Sequence, residues 1–91
     1  MSAEQREYPL SRQLLLNAVW DLCELQKGIV TIDDTSAGII EFKTNIYDFE
    51  HVFFFEVTEV ADGCALRVKT SAEGKESHEF LLLENLLLPD R

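Results

Sequence analysis

Phe49 to Val60 reads FEHVFFFEVTEV, and this stretch decides the fold. It carries four of the chain's six phenylalanines together with Val52, Val57 and Val60, and neither glycine nor proline interrupts it. Aromatic and β-branched residues at this density suit a pleated, half-buried surface, so the stretch predicts a long strand. Phe49, Phe53, Phe55 and Val57 form one apolar row. Val52 and Phe54 make the other row apolar as well. A strand with two apolar faces belongs in the middle of a sheet, or in a sheet whose second face is covered.

The flanking segments supply the rest of that sheet. After the strand, Asp62-Gly63 between alternating runs is a hairpin signal. The return strand Cys64 to Thr70 alternates cleanly, with Cys64, Leu66 and Val68 inward and Ala65, Arg67 and Lys69 outward. That pattern predicts one solvated face and an edge position. Before the strand, Ile29 to Asp33 and Ile39 to Thr44 read as a hairpin about Asp34 to Gly38, and Asn45 to Asp48 as the next connection.

Helical patterns bracket the strands. Leu14, Leu15, Ala18, Val19, Leu22 and Leu25 recur at helical spacing, which predicts a helix from about Ser11 to Lys27. Either Pro9 begins it or Ser11 caps it, and Lys27 followed by Gly28, tolerant of positive φ, is its stop. Leu16, Trp20 and Cys23 widen the apolar arc. Ser77 to Leu88 reads as a second helix, with Ser77 near the N-cap and Pro89 as terminator. A strand over Glu79 to Leu83 is the competing reading, because leucine runs have weak periodicity. Met1 to Tyr8 is polar and reads as a loose tail. The expectation is one α+β domain in two layers: helix, four-stranded antiparallel meander, helix (αββββα), with both helices on one sheet face.

Composition narrows the function. With 91 residues there is room for one modest core, and such a chain often gains from a partner subunit. The formal net charge is −9, and the eight Lys and Arg are scattered, which disfavours phosphate backbones and anionic lipid surfaces. No basic leader and no run of about 20 apolar residues is present. Cys23 and Cys64 each lie inside an apolar pattern and read as small buried hydrophobes. The chain is therefore expected to be cytoplasmic, with neither nucleic acid nor membrane as partner.

No reaction is named by the residues. His51 and His78 have no ligand at short motif spacing, so no metal site is expected. Cys64 and His51 fall at opposite ends of the long strand's pairing, too far apart for a nucleophile and its base. The glycines sit singly, without a phosphate loop. Glu56, between Phe54 and Thr58 on one face, is the carboxylate best placed to touch a ligand. Trp20 and Phe49 could line a small cavity, but a core this small needs its aromatics for packing. No catalytic residue and no cofactor is expected.

What the pattern does predict is surplus apolar surface. Val52 and Phe54 on the second sheet face, with Leu82, Leu86 and Leu88 on the last helix, are the expected interface of a two-fold dimer. In size, charge and element order the chain is similar to small bacterial α+β domains and to acidic, dimeric chaperones that hold secreted effectors. That resemblance implies a protein client. The expected function is a non-enzymatic interaction or assembly domain. A small apolar-ligand-binding protein and a chaperone-like protein holding a client are the alternatives.

Overall fold

The structure is a computed structural model and describes residues 2–46 and 48–87. Five strands and two helices follow in the order β1 (Ser2–Tyr8), α1 (Arg12–Leu25), β2 (Ile29–Asp34), β3 (Ile39–Ile46), β4 (Phe49–Val60), β5 (Gly63–Thr70) and α2 (Glu76–Leu87). The strands form one antiparallel sheet ordered β1-β5-β4-β3-β2. The expected α+β class holds, but the sheet has five strands where four were expected. The fifth is β1, in the segment read as a loose tail, and it pairs with β5 from Ser2 opposite Thr70 to Tyr8 opposite Cys64. β5 is thus an interior strand and not an edge. The added strand is polar on both rows, so no apolar contrast marked it. Gly63 makes room for it: a Cβ there would lie 2.0 Å from the Tyr8 carbonyl oxygen.

The long strand lies at the centre. Phe53 pairs with Phe42, Phe55 with Ile40 and Val68, and Val57 with Leu66, all on the face that meets the helices. The rings of Phe53 and Phe55 stack on Phe42 at centroid separations of 5.6 and 5.5 Å. Leu15, Val19 and Leu22 of α1 and Phe80 and Leu83 of α2 close the core over them. Burying each such side chain contributes about 1.5–3 kcal/mol. α1 lies across β3, β4 and β5, while α2 lies beside it over β1 and β5. The row ends before Phe49, which is 71% exposed and not part of the core expected for it.

Local chemistry sets the element ends. The Ser11 side chain accepts from the Leu14 N–H at 3.2 Å and caps α1. At the other end the Lys27 N–H donates to the Glu24 carbonyl and the Gly28 N–H to the Cys23 carbonyl, the paired bonds of a Schellman stop. Lys27, and not Gly28, takes the positive φ of 56°. Gly28 is needed for a different reason, because its Cβ would meet the Phe42 ring at 2.6 Å. The β4–β5 hairpin turns one step earlier than the sequence reading, with Val60 opposite Gly63. β3 continues to Ile46, into the stretch expected to be a connection. α2 starts at Glu76, so Ser77 lies within the helix and bonds Glu4 of β1 instead of capping.

Candidate functional site

Because both helices sit on one side, the other face of the sheet is bare among the described residues. Register places Val52 opposite Lys43, Phe54 between Glu41 and Lys69, and Glu56 between Ile39 and Arg67. β2 extends these rows with Ile29 beside Lys43, Ile32 beside Glu41 and Asp34 beside Ile39. A register shift between Val30 and Ile32 keeps Ile29 and Ile32 on the same face despite their odd spacing. The result is an apolar stripe of Ile29, Ile32, Ile39, Val52 and Phe54 set among charges of both signs. Ile29 is 73% exposed and Ile32 42%, whereas Val52 and Phe54 are half-buried by their neighbours.

Electrostatics distinguish this face from the rest of the molecule. Three of the chain's eight cations, Lys43, Arg67 and Lys69, stand on it against five of its seventeen acids. The Lys69 ammonium lies 5.4 Å from the centre of the Phe54 ring, and Lys43 reaches Glu50 at 3.8 Å. Exposed pairs of this kind contribute little to folding, about 0–1 kcal/mol. Their consequence is a face far closer to neutral than the remainder of a strongly acidic chain.

The expected interface residues divide between two places. Val52 and Phe54 share the bare face, with Glu56 in the next row. Leu82 and Leu86 are half-buried on α2 and pack against the core in the other layer. Leu88 lies outside the described residues. One continuous patch therefore does not contain both sets. Ile29, Ile32 and Ile39 were missed as members of the bare-face stripe. Strand parity puts Ile39 in the same row as Glu41 and Lys43, but only the β2 register adds the other two.

A second polar arrangement joins β1 to α2. The Tyr8 hydroxyl donates to Glu84 at 2.7 Å, and Arg6 donates to the same oxygen at 3.1 Å and to Glu4 at 2.9 Å. The Arg6 guanidinium also lies 4.5 Å above the Phe80 ring. Burial, followed by the bond to Glu84, pushes the Tyr8 phenol upward and keeps it protonated. Beside this cluster a hollow of about 340 Å³ opens between Pro9, Leu10 and Leu87, with Tyr8 and Glu84 on its wall. A shallower hollow of about 490 Å³ lies where Arg12 donates to the Thr35 and Ser36 carbonyls of the β2–β3 turn. In that turn the Asp34 carboxylate is held below its ordinary range by bonds from Ser36 and the Ala37 N–H.

The groups considered for chemistry stay apart. Cys64 faces Tyr8 and Glu59, while His51 faces Thr44 near the far end of β4. Burial pushes both the Cys23 and the Cys64 thiol upward, away from the reactive thiolate. Among the described residues no group of three or more His, Cys, Asp or Glu converges as a metal site would require. No helix among them is long and apolar enough to cross a membrane. The fold and surface define an α+β domain with one covered and one bare sheet face. No known family model matches the chain, and no curated protein matches it.

Proposed function

We propose that this chain is a non-enzymatic interaction domain that self-associates as a two-fold dimer through its bare sheet face. The observation that carries the reading is the stripe Ile29, Ile32, Ile39, Val52 and Phe54 on a face over which no helix lies among the described residues. The occupant is a second copy, because that face carries charges of both signs, as a contact between identical surfaces requires. Two faces brought together about a two-fold axis can set Lys43, Arg67 and Lys69 of one copy against Glu41, Glu50 and Glu56 of the other. Contact through any other side would press strongly acidic surfaces together. The wide separation of Cys64 and His51 supports the non-enzymatic part of the reading. Two unpaired, buried cysteines fit the reducing cytoplasm.

Light scattering after gel filtration, over a range of concentrations, tests this directly. The expected result is a dimer whose mass does not change on dilution, and a monomer for Phe54→Asp with its far-ultraviolet circular dichroism intact. A wild-type monomer at every concentration overturns the reading. The alternative of a small apolar ligand is favoured by the hollow between Pro9, Leu10 and Leu87. It predicts a rise in melting temperature with an apolar probe such as anilinonaphthalene sulfonate. In the chaperone-like alternative the same dimer would hold a protein client on a surface left free.

A further inference from the structure

Glu79 lies in the first half of α2 and is 1% exposed. Its carboxylate accepts from the Gln26 side-chain amide at 2.6 Å. Gln26 is the residue that ends α1, and its backbone carbonyl accepts from the Thr44 hydroxyl of β3 at 2.9 Å. Three residues thus join α2, the end of α1 and the sheet inside the protein. An acid is a costly choice at such a joint, since a glutamine would accept the same bond without bringing a charge into the interior.

Burial pushes the Glu79 carboxyl from its ordinary 4.5 up to about 7, against the opposing effects of the Gln26 bond and the Lys75 charge. The start of a helix also favours the ionised form, so burial outweighs that influence as well. The charged and titratable groups at this junction are Lys75, Glu76 and His78 on the same segment, and Glu24 and Lys27 at the end of α1. From the sheet come His51, opposite Thr44, and from β1 Glu4 and Arg6, already engaged with Ser77 and Glu84.

We propose that Glu79 is a proton-operated latch that holds α2 against α1 when protonated and loosens it when ionised, uncovering the apolar side carried by Phe80 and Leu83. This inference is independent of the self-association reading. Its direction follows from linkage. The packed form binds the proton more tightly than the open form, so docking is strongest below about pH 4.5. It is lost progressively as the pH rises to about 7 and is level beyond that.

Hydrogen exchange of the α2 amides from pH 5 to 8, corrected for the intrinsic pH dependence of exchange, reads the opening of the latch. In the wild type the opening constant is expected to rise by up to about tenfold per pH unit between pH 5 and 7, then flatten. Glu79→Gln keeps an acceptor for Gln26 and removes the proton, so its profile is expected to be flat. Glu79→Leu removes both and is expected to be flat at lower overall protection. The other titrating groups are common to all three proteins, so parallel slopes in wild type and variants overturn the proposal. A flat wild-type profile does so too.

Discussion

Phe53 and Phe54 are neighbours on one strand, yet they have opposite roles. Phe53 is fully buried and stacked on Phe42, on the face of β4 that α1 covers. Phe54 lies on the other face, half-buried among its neighbours with the Lys69 ammonium near its ring. The same side chain in the same strand is a fold determinant in one position and, in the next, part of the face proposed for self-association. What separates them is the helix layer, which covers one row of the sheet and leaves the other without it. Hydrophobicity alone does not tell which aromatic holds the protein together.

The sharpest way to break that contrast is to truncate each ring in turn. Phe53→Ala is expected to cost about 3–5 kcal/mol, enough to leave a chain of this size largely unfolded by urea titration. Phe54→Ala is expected to shift the urea midpoint far less while weakening the proposed dimer. Equal losses would erase the distinction between the rows. The covered face also fixes how closely α1 approaches it. Gly28→Ala forces a methyl group into the Phe42 ring, and about 1–3 kcal/mol of destabilisation is expected in the same titration. The adjacent residue predicts the opposite sign. Lys27→Gly relieves a left-handed conformation and is expected to stabilise by about 1 kcal/mol, read as a small rise in melting temperature. The smallest effect belongs to the polar tie between β1 and α2. Glu84→Gln leaves the Tyr8 hydroxyl an acceptor but removes the ion pair with Arg6, and a loss of about 0–1 kcal/mol, diminishing with salt, is expected.

Much of this fold is legible in local pattern. The phenylalanine-rich strand, the α1 periodicity with Ser11 before it, and both hairpins follow from residue type and spacing. β1 does not, for a physical reason. Its inward row is Glu4, Arg6 and Tyr8 and its outward row Ala3, Gln5 and Glu7, so the two faces differ little in polarity. The partners that make it a strand, β5 on one side and Glu84 and Ser77 above, lie far along the chain. Gly63 is the local trace of that long-range contact, yet in sequence it reads only as a turn residue. The candidate site was legible by half. Val52 and Phe54 follow from strand parity, but Ile29 and Ile32 join them only through the irregular β2 register. Leu82 and Leu86 failed to join because a nearly all-apolar helix does not declare which side it buries.

The late arrival of a partner for β1 has a consequence for how the chain folds. β2 to β5 form a meander in which each strand pairs with its successor, so loop closure along it is inexpensive and fast. Even the nearest pairing of β1, Tyr8 with Cys64, encloses more than half of the chain. During synthesis β1 must wait, exposed and without a template, until β5 has been made, and its ties to Ser77 and Glu84 can form only once α2 follows. The side of the molecule that contains β1 and α2 is therefore expected to be the last to order and the first to come undone, with transition-state values near zero for Arg6 and Tyr8 and higher ones for Phe42 and Phe55.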